Sequence, residues 1–154
     1  MACRDPTDCR FDEWQLPPSA CKNELMIEPK LIAEGVARYF AALRSQDANA
    51  IVATFADDAV SHDPVGAPAH VGHAGIHAFM SGVLGLFETV GLTENQVFIV
   101  PGGAAVKWTG QGRGKNGRDI TFEGIDVLEI NAAGKIQTLR AYWDPSPMIA
   151  AVTT

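Results

Sequence analysis

Asp126 is the residue whose surroundings point most directly to chemistry. It lies in a stretch, residues 121–143, in which apolar and polar residues alternate on both sides of a turn at residues 131–134, the pattern of a β-hairpin. Because side chains alternate between the two faces of a strand, Asp126 shares its face with residues that carry no polar side chain. A carboxyl group in such a place either finds a partner or keeps its proton, since burial disfavours the charged form.

Two further residues could act together with Asp126. Asp63 ends a predicted strand just before Pro64, and Tyr39 lies on the apolar stripe of a predicted helix. Taken singly, Asp63 is explained by turn chemistry and Tyr39 by core packing. Around one apolar cavity, however, a basic carboxylate, a tyrosine and a protonated carboxylic acid could enolise a ketone. The carboxylate removes a proton next to the carbonyl, and the other two donate hydrogen bonds to the developing oxyanion.

The protonation state of Asp126 is decisive for this hypothesis. A carboxylic acid can donate a hydrogen bond only while it keeps its proton, and a free Asp loses that proton above a pH of about 3.9. The apolar surroundings of Asp126 are therefore a requirement of the chemistry.

The order of the elements predicts an α+β domain with three helices packed on one curved, antiparallel or mixed sheet. Apolar residues recur at helical period in three segments: 29–45, 48–55 and about 72–86. Residues rich in β-branched and alternating side chains predict strands over 59–63, 94–100, 104–109, 118–130 and 135–143. The glycine-rich segment 110–117 is interpreted as a turn.

The domain is expected to span residues 29–146. Residues 1–28 have no sustained period and are interpreted as an N-terminal extension, either flexible or lying over the domain or a partner subunit. Residues 147–154 are interpreted as a C-terminal tail.

Composition and charge argue against several classes of protein. The chain has 154 residues, 47% of them hydrophobic, a formal net charge of -6 and a pI of about 5.1, so its surface should repel nucleic acid and anionic lipid. No stretch is long enough to span a bilayer, and the first residues lack the pattern of a secretory signal. We therefore expect a cytoplasmic protein that binds neither nucleic acid nor membrane.

A metal site is not expected. The three cysteines, Cys3, Cys9 and Cys21, form no CxxC pair and have no histidine nearby, so free thiols are favoured, with one bridge among them left open. His73 and His77 have the i, i+4 spacing of a metal pair, but they lie partly off the apolar stripe of their predicted helix.

Three segments of the chain resemble the bacterial Δ5-3-ketosteroid isomerases. These enzymes belong to the nuclear-transport-factor-2-like, or SnoaL-like, superfamily of cone-shaped, cystatin-like α+β domains. The similarity covers nearly all of residues 30–145. Its segments are Val36-Ala-Arg-Tyr-Phe, Phe55-Ala-Asp-Asp-Ala-Val-Ser-His-Asp-Pro-Val-Gly, and Gly124-Ile-Asp-Val-Leu with the following Gly134-Lys-Ile-Gln-Thr-Leu-Arg-Ala-Tyr-Trp.

The resemblance implies a role for each of the three residues. Asp63 matches the catalytic base of the family, Tyr39 its oxyanion tyrosine and Asp126 its oxyanion acid. In ketosteroid isomerases that acid is held neutral by its apolar site. The resemblance thus implies a cofactor-independent steroid Delta-isomerase, in which Asp63 moves a proton from C4 to C6 of a 3-oxo-Δ5-steroid.

The resemblance also implies a substrate cavity and a homodimer. A flat apolar ketone such as a steroid would lie against these residues: Trp143, Phe79, Val83, Trp108, Leu128 and Leu139. Phe55 and Met80 occupy the positions at which some isomerases carry two further tyrosines, so Tyr39 would act without a supporting tyrosine chain. The homodimer would form through the outer face of the sheet.

Two other functions remain open at this point. One is a different enzyme of the same fold, such as a polyketide cyclase or dehydratase with Asp63 as its base. The other is a domain that binds a small molecule or a protein without catalysis. An epoxide hydrolase of this fold would need an Asp-Arg-Asp set in the cavity. Arg140 is predicted on the opposite face of the hairpin from Leu139 and Trp143, which counts against that activity.

Overall fold

The computed structural model describes residues 27–154, and the expectations for the N-terminal extension and for Cys3, Cys9 and Cys21 lie outside these residues. The elements follow the chain as α1 (Pro29–Ser45), α2 (Ala48–Val52), β1 (Phe55–His62), β2 (His70–Val71), α3 (Gly72–Leu84), β3 (Phe87–Val100), β4 (Gly103–Gly114), β5 (Asp119–Ile130), β6 (Ile136–Tyr142) and α4 (Ser146–Thr153). Within residues 27–154, no helix is long and apolar enough to cross a membrane.

The six strands form one mixed sheet in the order β2-β1-β6-β5-β4-β3. β1 and β6 run parallel, and every other neighbouring pair is antiparallel. Helices α1, α2 and α3 cover one face of this sheet, and the main core lies between the two layers. The prediction of an α+β domain with helices packed on one mixed sheet is confirmed.

Helix α1 has the bounds predicted for it and delivers Tyr39 to the core. Pro29 opens the helix, where its missing N–H costs little. Gln46 closes it in a left-handed conformation, with φ of 58°. The buried stripe includes Ile32, Phe40 and Tyr39, and Tyr39 is only 2% exposed. The tyrosine ring therefore faces the sheet.

The second helix is shorter than its predicted range of 48–55. It ends at Val52, and Phe55 begins strand β1. The backbone N–H of Ile136 donates to the carbonyl of Thr54, and Phe55 pairs with Ile136 in the parallel ladder. Long-range pairing with β6 thus ends the helical turn earlier than the local apolar pattern suggests.

The interpretation of residues 110–117 as a turn is wrong for most of the segment. Strand β4 continues to Gly114, and only Lys115, Asn116 and Gly117 lie in the turn that follows, Gly117 with φ of 82°. Gly110 and Gly112 allow other groups to approach the strand closely. A Cβ at Gly110 would lie 2.5 Å from the Phe122 ring, and one at Gly112 would lie 2.7 Å from the carbonyl oxygen of Thr89. These glycines serve packing on one face of a strand.

Other boundaries also differ from the sequence prediction, and β1 spans Phe55–His62 rather than 59–63. Strand β3 begins at Phe87 rather than at 94, and helix α3 ends at Leu84 rather than at 86. Much of the segment interpreted as a tail forms helix α4. Its residues Met148 and Val152 are buried against Phe87, so this helix completes a second, smaller core.

Candidate active site

Strands β5 and β6 bring Asp126 to the inner face of the sheet. Asp126 pairs with Ala141, Leu128 pairs with Leu139, and Asp126 is 2% exposed. Burial alternates along β5 as the sequence predicted. Asp126 is therefore an acid enclosed by the core, held on a regular strand.

Trp108 on β4 is the hydrogen-bond partner of Asp126. Its indole Nε1–H donates to Oδ1 at 2.9 Å. Burial, followed by the negative charge of Asp63, raises the pKa of Asp126 to about 8, although the Trp108 bond acts in the opposite direction. Asp126 is thus mainly a neutral acid at pH 7. Because Trp108 occupies Oδ1, the other oxygen is the one from which a proton can be donated.

Asp63 lies immediately after β1 and is held by Trp143. The Trp143 indole Nε1–H donates to Oδ1 of Asp63 at 2.7 Å. Burial raises the pKa of Asp63 above its usual value, and the Trp143 bond and the positive charge of His70 offset only part of that rise. The two acids thus have different environments, and Asp63 has two partners that favour its ionised form.

The Tyr39 hydroxyl lies under the electrostatic influence of both acids. Burial, then the charge of Asp126 and then that of Asp63, raises the pKa of Tyr39 well above its usual value near 10. Its ring meets those of Phe40 and Phe55 edge-on, with centroids 5.3 and 5.7 Å apart. The raised pKa keeps the Tyr39 hydroxyl protonated at neutral pH, so the hydroxyl can act as a hydrogen-bond donor.

Tyr39, Asp63 and Asp126 thus converge from α1, from the end of β1 and from β5. The charge of Asp63 acts on Asp126, and the charges of both acids act on Tyr39. The arrangement provides one carboxylate, Asp63, whose neighbours favour its ionised form, and two groups that keep their protons, Tyr39 and Asp126. Such a set can remove a proton and stabilise the negative charge that develops on a nearby oxygen.

Gly124 allows the two tryptophans to meet over the sheet. The indoles of Trp108 and Trp143 are T-shaped, with centroids 5.9 Å apart and planes at 70°. A Cβ at Gly124 would lie 2.5 Å from Cζ2 of Trp108 and 2.8 Å from Cβ of Trp143. A glycine is needed here for close approach.

An apolar cavity of about 70 Å³ lies beside the acids, between the helices and the sheet. Of the predicted wall residues, five line it: Phe79, Met80, Val83, Trp108 and Trp143. Leu128, Leu139 and Phe55 are instead buried in the core, at 1% exposure or less, and do not line the cavity. Met148 of α4 contributes another part of the wall. Trp108 and Trp143 join the cavity to Asp126 and Asp63, which do not line it themselves.

The polar role of the two tryptophans was not anticipated from the sequence, which indicated only apolar walls. The signal was available, because a buried indole N–H usually finds an acceptor, and buried carboxylates are such acceptors. His70 was also missed. Its Nε2 lies 3.3 Å from the carbonyl oxygen of Asp63, and its ring stacks on Phe79.

The histidines of helix α3 have other contacts. His73 Nε2 lies 2.9 Å from the carbonyl oxygen of Phe55, and His77 Nδ1 lies 3.4 Å from the Ser81 hydroxyl. Across residues 27–154 no group of three or more His, Cys, Asp or Glu side chains is arranged to hold a metal ion.

The arginines in the described part of the chain are engaged away from the two acids. Arg140 forms an ion pair with Glu129 at 3.2 Å, on the sheet face opposite Asp126. The other four pair with the following groups: Arg38 with the carbonyl of Gly134, Arg44 with Glu94, Arg113 with Asp119, and Arg118 with Thr154. Within residues 27–154, none of these supplies the arginine of an Asp-Arg-Asp set.

The SnoaL-like domain matches residues 36–139 of this chain. A steroid Delta-isomerase from Nocardioides simplex is 34% identical over 121 residues, covering 77% of this chain and 94% of that protein. The chain therefore belongs to the SnoaL-like family. Among its relatives is that steroid Delta-isomerase, which shares the family and nearly the whole length of the domain.

Solved structures of the same fold include an epoxide hydrolase/cyclase-like enzyme and a protein of unknown function. SalBIII, an epoxide hydrolase/cyclase-like enzyme in pyran ring formation in the polyether salinomycin, aligns with a TM-score of 0.71 at 23% identity, over 79% of this chain and 96% of its own. An NTF2-like protein of unknown function from Burkholderia pseudomallei aligns with a TM-score of 0.69 at 21% identity, over 80% of this chain and 98% of its own. TerC, co-crystallised with polyporic acid, aligns with a TM-score of 0.68 at 16% identity, over 80% of this chain and 99% of its own. At these identities the likeness establishes the fold.

Proposed function

We propose that this protein is a cofactor-independent isomerase that moves the C=C bond of a 3-oxo-Δ5-steroid to the Δ4 position. The observation that carries the proposal is the contrast between two neighbouring acids. Asp63 is bonded by Trp143 and lies beside His70, while burial raises the pKa of Asp126 to about 8. A base and a neutral acid in one site are what enolisation requires. The 34% identity to a steroid Delta-isomerase supports the choice of substrate class.

The proton that the substrate loses is returned to it at another carbon in the proposed reaction. The Asp63 carboxylate takes a proton from C4, the C4 electron pair enters the dienolate, and the C3 oxygen becomes negative. Tyr39 and Asp126 donate hydrogen bonds to that oxygen. Asp63 then returns the proton to C6, the carbonyl re-forms, and the conjugated Δ4 enone leaves. Donors that are already positioned stabilise this charge without reorganisation, which is commonly the largest contribution to such catalysis.

The size of the cavity constrains the substrate. Its volume of about 70 Å³ is below the roughly 300–1,000 Å³ of common ligand pockets. A fused-ring ligand therefore requires the walls to move outward. Met80 and Met148 both line the cavity, and unbranched methionine side chains rearrange readily.

The cavity volume also favours a second candidate, an enolising enzyme of this family that acts on a smaller ketone. A cyclase with Asp63 as its base is one such enzyme, because the same base and donors would form and stabilise an enolate. The arrangement of the arginines in residues 27–154 does not favour an epoxide hydrolase.

The test is the absorbance of the conjugated enone after addition of 5-androstene-3,17-dione. We expect turnover by the intact protein, with a loss of about 10²–10⁴-fold in Asp63→Asn, the usual contribution of a positioned general base. Asp57→Asn is the matched control, because Asp57 is on β1, the strand that leads to Asp63, and its side chain is fully exposed. Absence of enone formation at micromolar protein contradicts the steroid substrate. Exchange of α-protons of small ketones into D₂O would then identify the second candidate.

We also propose that the protein is a homodimer through the outer face of the sheet. Phe98, Ile125 and Tyr142 are 62%, 45% and 51% exposed, and Ile125 pairs with Tyr142 across β5 and β6. Exposed apolar patches of this kind commonly mark interfaces. Sedimentation of the intact protein should give a dimer that Phe98→Asp converts to a monomer. A monomeric parent protein at tens of micromolar contradicts the proposal.

A further inference from the structure

His70 lies between the cavity wall and the segment that carries Asp63. It belongs to the two-residue edge strand β2 and pairs with Ser61 of β1. Its ring stacks on Phe79 of α3, with centroids 4.1 Å apart and planes at 18°. On the other side, its Nε2 is 3.3 Å from the carbonyl oxygen of Asp63. One imidazole thus joins a wall residue to the backbone of the base.

We propose that His70 is a positioning residue that holds the Asp63 segment against the cavity wall and tunes the basicity of its carboxylate. The inference rests on the proposed function only in treating Asp63 as the base. It does not depend on the identity of the ketone.

The hydrogen-bond chemistry of His70 allows its charge to change without a change in geometry. A carbonyl oxygen only accepts, so Nε2 must carry the proton in this contact. Nδ1 can then bind a second proton while the Nε2 bond to Asp63 persists. Protonation therefore adds a positive charge beside Asp63 and leaves the contact in place.

The electrostatics of Asp63 agree with this arrangement. Besides burial and the Trp143 bond, the charge of His70 acts on Asp63 and lowers its pKa. The elements packed against β2 are β1 and α3. The other titratable groups on them are Asp57, Asp58, His62, His73 and His77. His73 contacts Asp57 and the carbonyl of Phe55, and Asp58 accepts a hydrogen bond from Gln137. His70 is the histidine directed at the base.

Two substitutions separate stacking from charge and hydrogen bonding. His70→Phe keeps an aromatic ring on Phe79 but loses the N–H and the charge. His70→Gln keeps a donor for the Asp63 carbonyl but can carry no charge. His77→Gln is the matched control, since His77 is on α3 and contacts Ser81.

The measurement is a ¹³C NMR titration of the Asp side-chain carboxyls of the whole protein, with the Asp63 signal assigned from Asp63→Asn. We expect the Asp63 midpoint to move to higher pH in both His70 variants and to stay in place in His77→Gln. In the enone assay the acidic limb of kcat/KM should move in the same direction. His70→Gln should keep a plateau kcat closer to the parent protein than His70→Phe does, because it retains the bond.

An unmoved Asp63 midpoint in folded His70→Gln overturns the inference, whether or not His70→Phe folds. The titration needs no turnover, so failures of the two proposals are distinguishable. A moved midpoint without steroid turnover contradicts the steroid substrate and supports the role of His70. Steroid turnover with an unmoved Asp63 midpoint supports the steroid substrate and contradicts the role of His70.

Discussion

The indole N–H of Trp143 donates a 2.7 Å hydrogen bond to the carboxylate of Asp63, 80 positions earlier in the chain. A donor to a carboxylate favours its ionised form, so this bond opposes the effect of burial on Asp63. Trp108 makes the equivalent bond to Asp126 at 2.9 Å. Since both acids have an indole donor, the difference between them comes from their remaining surroundings. Asp126 is enclosed and repelled by the charge of Asp63, while Asp63 has His70 beside it.

Replacing Trp143 with Phe should weaken the base at low pH. The substitution keeps an aromatic ring at the cavity wall but removes the donor, so the pKa of Asp63 should rise. The acidic limb of the pH profile of kcat/KM should then move to higher pH. Trp108→Phe is the matched control, because its donor serves the other acid and should shift only the basic limb upward. An acidic limb that stays in place in Trp143→Phe would show that the bond has no influence on the base.

The protonation of Asp126 should set the upper pH limit of activity. Its pKa of about 8 means that the hydrogen-bond donor is lost as the pH rises through that value. We expect kcat to fall above pH 8 in the parent protein. Asp126→Asn should remove this basic limb, because an amide donates at every pH. Asp126→Ala should lower kcat by about 10²–10³-fold, the usual cost of losing one oxyanion donor. A basic limb that persists in Asp126→Asn would assign it to another group.

Tyr39→Phe should lower kcat by about 10²–10³-fold with a smaller change in KM, since it removes a donor that matters most when the oxygen is negative. The two tyrosines of the chain provide a control. Tyr142 is 51% exposed on β6, so Tyr142→Phe should leave kcat unchanged. Binding of the phenolic steroid equilenin should weaken in Tyr39→Phe, and titration by fluorescence measures it. Equal affinity in both variants would be incompatible with an oxyanion role for Tyr39.

The sequence was sufficient to predict much of this fold because its helices and its central hairpin are locally consistent. The apolar period of α1 and the alternation of β5 are clear in the amino-acid sequence, and both elements have the predicted bounds to within a residue. The alternation alone placed Asp126 on the inner face. Resemblance to a known family then suggested Tyr39 and Asp63 as its neighbours.

The parts that were missed depend on contacts between distant residues. Phe55 fits the apolar pattern of a helix, but its pairing with Ile136 makes it a strand residue. The sequence around Gly110 is typical of a turn, but in the structure this glycine is a strand residue that makes room for the ring of Phe122. The residues next to Trp108 and Trp143 in the sequence do not indicate which groups accept hydrogen bonds from their indole N–H groups. Local patterns specify elements, whereas partners across the sheet specify where those elements end.

Gly124→Ala should disturb both acids at once. Its Cβ would lie within 3 Å of Trp108 and Trp143, and the indoles would have to move. Overpacking of this kind costs about 1–3 kcal/mol of unfolding free energy. Gly82→Ala is the control, because nothing lies within 4 Å of the added Cβ in the middle of α3. It should stabilise the protein by about 0.5–1 kcal/mol through helix propensity. Urea unfolding measures both, and equal effects of the two alanines would contradict the close approach at Gly124.

Asp126 should also make the protein less stable as the pH rises. Its pKa is about 8 in the folded state and near 3.8 in the unfolded chain, where no neighbouring group perturbs it. Below pH 3.8 both states hold the proton, and the stability associated with the neutral acid is fully present. Between these values only the folded state holds it, so stability falls with rising pH until the folded state also releases its proton.

Asp126→Asn should abolish this loss, because the amide cannot ionise and still accepts the Trp108 hydrogen bond. We expect the variant to unfold at a higher temperature than the parent protein at pH 8 and above, even though its turnover is lower. Thermal unfolding between pH 5 and 9 measures the difference, with Asp57→Asn expected to follow the parent protein throughout. If the parent protein and Asp126→Asn lose stability in parallel across this range, Asp126 is already ionised in the folded state. It could then not donate a proton to an oxyanion at neutral pH.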